Sequence, residues 1–162
     1  TYESAALSKY IRTLGIEDHV HLLGIRDDMA DIYNALDIHA LNSHCESFGL
    51  AVTEAMACET LCVATDVGIM RQLLQDVGEV IPVSDNPEVL ADAWRHVVVW
   101  TLQEKARRRQ RGRQRIMADY AIAKTAERYD TLYLQAMQKN ISWQRGGKVR
   151  ADSYKIMGKT IG

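Results

Sequence analysis

No stretch of this chain is apolar for long enough to span a bilayer, and its first residues lack the basic-then-apolar pattern of a secretion signal. Cysteine is scarce and odd in number. Cys45, Cys58 and Cys62 have no disulfide-scaffold spacing, so free and mostly buried thiols in a reducing, cytoplasmic compartment are expected. Taken with His39 and His44, the same residues offer no tetrahedral ligand spacing, and no metal is expected. No Gly-x-Gly-x-x-Gly follows a strand pattern, which leaves a dinucleotide oxidoreductase without support. Charge of one sign is also lacking: 20 Lys and Arg face 21 Asp and Glu. That balance gives no global reason to expect nucleic acid as a partner.

What is present suits a globular domain. The chain has 162 residues, 47% apolar and 25% charged, enough to bury a proper core. In the first helical pattern, residues 3 to 14, Ala6, Leu7, Tyr10, Ile11 and Leu14 recur at three- and four-residue intervals before Gly15 ends it. A short strand is expected at Val20 to Leu23. Asp27 and Asp28 then precede a helix whose apolar stripe is Met29, Ile32, Tyr33 and Leu36.

Strands are expected at Asp37 to Leu41, Leu61 to Thr65 and Glu79 to Val83, the second wholly apolar as in a strand buried on both faces. Between them lie helices at Leu50 to Cys58 and Gly68 to Leu74. Asn86 before Pro87 marks the start of another, running through Trp94 and Val98. Strand and helix thus alternate four times with short connections, which implies an α/β fold: a mainly parallel sheet of about four strands with helices on both faces. Leu102 to Lys139 is helical in pattern, divided near Asp119 and Tyr120, with Trp94, Trp100, Tyr129 and Tyr133 as packing residues. The expected organisation is therefore a sheet domain over 1–101, packed helices over 102–140 and a poorly ordered tail over 141–162.

Residues 42 to 49 carry the chemistry. They follow a strand, and ligand-binding loops in parallel sheets lie at the carboxyl ends of strands. Glu46 and Glu54 flank a Phe-Gly turn that opens a helix. Carboxylates accept hydrogen bonds from vicinal hydroxyls, while the amides of a first helical turn, approached closely through Gly49, can hold an anion. A ligand with hydroxyls and phosphates, such as a nucleotide-sugar, matches both.

Ser43 to Glu54 resembles the Ser-x-x-Glu-x-Phe-Gly-x-x-x-x-Glu signature of retaining family 4 glycosyltransferases, in the donor-binding half of their GT-B fold. Val20 to Gly24 with Arg26 and Asp28, Ala35 to Asp37, Glu54 to Cys58, Val63 to Gly68 and Tyr129 to Tyr133 agree with the same family, so the likeness runs from Leu14 to Tyr133. The resemblance implies a Rossmann-like α/β/α domain in which Glu46 binds hydroxyls of the transferred sugar and acts at the reacting centre. It also implies that Glu54 binds the ribose hydroxyls. Ser47 would lie in the donor-binding turn, with the amides of Phe48, Gly49 and Leu50 at the sugar and distal phosphate and Arg26 at the base. The donor would be a nucleotide diphosphate sugar, the product a hexose joined to a glycan or lipid-linked acceptor, and no metal or other cofactor would be needed.

Two departures stand out: Glu59 occupies a position where the family usually has glycine, and Leu61 one where it usually has proline. Ile69 and Met70 likewise replace residues commonly small or acidic. The family's acceptor domain and the strands carrying its diphosphate-holding cations have no counterpart here, so the chain is expected to be part of a longer polypeptide or a paired one, inactive alone. The alternative is a non-catalytic remnant that keeps the fold and binds a partner. Lys105 to Arg115 holds seven basic residues in eleven positions. It is a candidate contact for an anionic membrane, which would place the chain at the inner face.

Overall fold

The computed structural model describes residues 2–146. Helix α1 (Tyr2–Leu14) and a 3-10 turn (Glu17–His19) lead through an extended segment to α2 (Met29–Ala35), and the chain then alternates: β1 (Ile38–Leu41), α3 (Leu50–Ala57), β2 (Leu61–Thr65), α4 (Met70–Leu74), β3 (Glu79–Ile81) and α5 (Pro87–Val98). Helix α6 (Leu102–Arg115), a π-helical turn (Ile116–Tyr120) and α7 (Ile122–Gly146) complete it. The chain divides into two compact units, 1–112 and 113–162. The first contains the whole sheet. In the second, the π-turn gives way at an extended Ala121, the break expected near Tyr120, and Arg128 donates to the Asp119 carbonyl at 3.0 Å.

The sheet is parallel, in the order β1-β2-β3, with Ile38 opposite Leu61 and Val63 opposite Glu79. β2 lies in the middle and all five of its residues are buried, which explains the apolar run from Leu61 to Ala64. One core cluster joins Leu61, Val63 and Ile81 of the sheet to Ala93 and Val97 of α5. Val52, Ala55 and Met56 of α3 and Met70, Leu73 and Leu74 of α4 are also buried. Asn86 caps α5, accepting from the Glu88 amide at 3.0 Å, and Pro87 fills the first helical position where no amide partner is needed.

Several expectations change. Val20 is extended, but Val20 to Leu23 forms no strand: no ladder partner exists among the described residues, and Leu22 and Leu23 stand exposed. Among the described residues the sheet therefore has three strands, not four. In α1 only Ile11 of the apolar stripe is buried, while Leu7, Tyr10 and Leu14 face outward. Trp94, Tyr129 and Tyr133 are exposed as well, the two tyrosines stacked on each other at 6.1 Å. Trp100 does pack against the core, with the Arg108 guanidinium 4.0 Å above its ring. Of the three free thiols, Cys62 is buried and its pKa is pushed up to about 12 by burial, whereas Cys45 is exposed. Residues 141–146 continue α7, and the rest of the expected tail lies outside the described residues.

The exit of α3 shows how the chain manages without its glycine. Glu59 takes a left-handed conformation, φ 60°. Its amide reaches the Met56 carbonyl at 3.1 Å and the Thr60 amide reaches Ala55 at 3.0 Å, the paired bonds of a Schellman cap. A side chain in that region carries a steric cost that glycine avoids. Glu59→Gly is therefore expected to stabilise the fold by about 1 kcal/mol, seen as a higher urea midpoint with an unchanged slope.

Candidate functional site

The loop from Asn42 to Gly49 leaves the carboxyl end of β1 and enters α3. Three contacts fix its path. The Thr65 hydroxyl, at the end of β2, donates to the Ser43 carbonyl at 2.6 Å. Glu46 turns back on its own loop, its Oε1 accepting from the Ser47 amide at 3.1 Å and the Gly49 amide at 3.3 Å. Gly49 itself is left-handed, φ 81°, and serves as the N-cap of α3.

The third contact is between two loops. A Cβ on Gly68, in the connection after β2, would lie 2.3 Å from the Glu46 carbonyl oxygen and 2.8 Å from that of Ser47. The backbones touch because Gly68 has no side chain, and its φ of 54° adds a second reason for glycine. Against Gly49, by contrast, the near atom is the terminal methyl of Met70 at 2.3 Å, the movable end of a flexible side chain.

Glu54 lies in the fifth position of α3, about 7 Å along the helix axis from Gly49. It is exposed, and its Oε2 accepts from the hydroxyl of Tyr33 in α2 at 3.3 Å. Burial, and then the nearby Glu54 charge, push the Tyr33 pKa up, so the phenol remains a proton donor. His39 of β1 meets the Tyr33 ring edge-on at 5.4 Å. Burial lowers its pKa against the opposing pull of Glu54, and its Nε2 has no hydrogen-bond partner.

The two glutamates thus rise from one loop-helix junction but take different partners, Glu46 the loop amides and Glu54 the phenol of α2. The Gly49 amide, which the resemblance gives to an anion, donates to Glu46 here. Within the first turn of α3 the Val52 and Thr53 amides bond back to Gly49, which leaves those of Leu50 and Ala51 with no backbone acceptor among the described residues. Phe48 is half-buried and Ser47 exposed beside them. Arg26 is exposed and forks onto Asp28, Nε to Oδ1 at 2.8 Å, holding that carboxyl below the usual range. After β2, Arg71 of α4 pairs with Asp66. Tyr33, Thr65 and Gly68 are not singled out by the sequence as site residues. Gly68 alone carries a signal, as the glycine of an Asp-Val-Gly turn directly after a buried strand.

Beside the acidic loop, at the ends of β1 and β3, a cleft of about 250 Å³ is lined by Asn42, His44, Ser84, Asp85 and Asn86, among others. The basic run of α6 is largely occupied within the chain. Arg107 and Arg108 pair with Glu104, Lys105 donates to the Val98 carbonyl at 2.8 Å, and Arg109 lies 3.9 Å from Asp37. Among the described residues no helix is long and apolar enough to cross a membrane.

A glycine-bearing loop at the carboxyl edge of a parallel sheet is where open α/β folds bind their ligands. Residues 2–115 match the family described as glycosyl transferases group 1, and the chain belongs to it. Among curated relatives, the N-acetyl-alpha-D-glucosaminyl L-malate synthase of Bacillus anthracis is 29% identical over 91% of this chain and 38% of its own length. The D-inositol 3-phosphate glycosyltransferase of Kineococcus radiotolerans is 32% identical over 90% of this chain and 35% of its own. The chain thus spans little more than a third of the length of these relatives. Among solved structures, the sucrose-phosphate synthase of Thermosynechococcus elongatus superposes with a TM-score of 0.77 at 25% identity, over 85% of this chain and 35% of that one. HepE of Anabaena, in complex with UDP-glucose, gives 0.71 at 25% identity over 80% and 36%.

The loop contact can be tested without any ligand. Gly68→Ala forces the touching backbones apart at a left-handed position, and a loss of about 2–3 kcal/mol in urea unfolding is expected. Gly49→Ala, where the displaced atom is a methionine tip, is expected to lose less.

Proposed function

We propose that this chain forms the donor-binding part of a retaining glycosyltransferase, which moves a hexose-type sugar from a nucleoside diphosphate to a glycan or lipid-linked acceptor. The observation that carries the reading is the placement of two carboxylates on either side of amides that have no backbone acceptor. A nucleotide-sugar has the same layout: a ribose diol at one end, a sugar at the other, a pyrophosphate between. Glu54 would accept from the ribose hydroxyls and Glu46 from hydroxyls of the transferred sugar. The amides of Leu50 and Ala51, at the positive end of the α3 dipole, would face the distal phosphate.

Transfer breaks the bond from the anomeric carbon to the phosphate oxygen and forms one from that carbon to the acceptor oxygen on the same face. The departing diphosphate takes up the acceptor's proton. What the protein supplies is charge stabilisation for that leaving group, and fixed amide dipoles provide it without reorganisation as the bond breaks. No metal is invoked in this scheme. Glu46 has to leave its own loop amides, or share them, when the sugar arrives, so the loop is held closed by the group that later binds donor. Arg26, already paired with Asp28, is available to border the base only as a member of that pair. The family membership and the UDP-glucose complex of HepE support a nucleotide-sugar as donor.

Titration calorimetry with UDP-, GDP- and ADP-sugars tests the proposal. One of them is expected to bind, and Glu54→Ala to weaken it roughly tenfold or more, the worth of a hydrogen bond to a charged group. A folded sample that binds none of the three would favour the non-catalytic reading instead.

A further inference from the structure

We propose that Tyr33 is a positioning residue for Glu54, holding one carboxylate oxygen so that the other faces the ribose diol of the donor. The inference rests on the assignment of Glu54 to the ribose made above.

Glu54 is an exposed helical residue, and an exposed glutamate ordinarily samples several rotamers. Here one of its oxygens, Oε2, is engaged by the Tyr33 hydroxyl at 3.3 Å. Tyr33 is itself well fixed: it is only 3% exposed. The Thr60 hydroxyl donates to its main-chain carbonyl at 2.7 Å, tying the end of α2 to the residue before β2. The His39 edge closes on its ring from β1. The phenol is thus buried, with its hydroxyl donating to the Glu54 carboxylate. A phenol kept protonated by burial and by the Glu54 charge can only donate to that carboxylate, never repel it.

The arrangement divides the labour of the carboxylate. Oε2 is committed to the protein, and Oε1 has no protein partner among the described residues. A vicinal diol offers two donors close together, which suits an acceptor whose direction is already set. Preorganisation of this kind shows as affinity, because the ligand no longer has to order the side chain on binding. It also predicts a specific coupling: the phenol should matter only while Glu54 is present and only for a ligand with the full diol.

The test is a double-mutant cycle read by calorimetry on the 162-residue chain, using whichever of UDP, GDP and ADP binds, together with its 2′-deoxy counterpart. Tyr33→Phe keeps the packed ring and removes the donor, and its thermal midpoint is measured alongside. The expected result is a three- to tenfold weaker affinity, roughly the effect of one lost hydrogen bond, with a smaller change for the 2′-deoxy nucleotide. In the Glu54→Ala background the same substitution should change affinity less than twofold. An equal loss with and without Glu54, or no loss while Glu54→Ala weakens binding, would overturn the positioning role and leave the ribose assignment standing. If Glu54→Ala itself leaves affinity unchanged, the ribose assignment falls, and this inference with it.

Discussion

Two polypeptide backbones meet at Gly68, and the acidic loop owes its position to that meeting. The segment after β2 lies against the carbonyls of Glu46 and Ser47 at a separation no side chain would permit. Thr65, three residues earlier, ties the same loop at Ser43. Thr65 closes β2, which is buried along its whole length, and Gly68 follows in the connection directly after it. The loop could otherwise drift, as exposed loops with many polar residues do. Held from beneath, it delivers Gly49 to the start of α3 in a left-handed turn, and the helix leaves with its amino end open.

Electrostatics then decide how the loop rests. The turn that leads into α3 presents amides that want an acceptor, and Glu46 supplies one from within the loop to those of Ser47 and Gly49. An internal carboxylate at that place does two things. It satisfies two amides of the turn before the helix, and it places a carboxylate beside the amides left over at Leu50 and Ala51. Glu54, farther along, is steadied from the other side by a buried phenol. The layout therefore offers polar partners at two separated points with donors between them.

Much of this is legible in the sequence, for identifiable reasons. The apolar run of Leu61 to Ala64, bounded by turn residues, suits a strand covered on both faces, and it forms one. Asn86 and Pro87 announce a helix start by local chemistry alone. Glu46, Gly49 and Glu54 stand out because their spacing belongs to a strand-turn-helix unit. The failures share a cause, which is dependence on partners distant in sequence. Val20 to Leu23 has strand propensity but nothing to pair with among the described residues, and the outward stripe of α1 has periodicity without a covering surface. Tyr33 reads as one more core residue, and only the folded proximity of α2 and α3 reveals its hydroxyl at Glu54. Glu46's grip on the Gly49 amide is a rotamer choice that no spacing encodes.

The central claim is that the open amides at the start of α3 receive a pyrophosphate while the flanking acids take hydroxyls. Backbone amide resonances followed by nuclear magnetic resonance during titration address it most directly, with a nucleoside diphosphate sugar as ligand and the matching nucleoside as control. The account predicts that the Leu50 and Ala51 amides shift with the diphosphate sugar and stay in place with the nucleoside alone. Shifts confined to other regions of the chain, with those two amides unmoved at saturation, would contradict it.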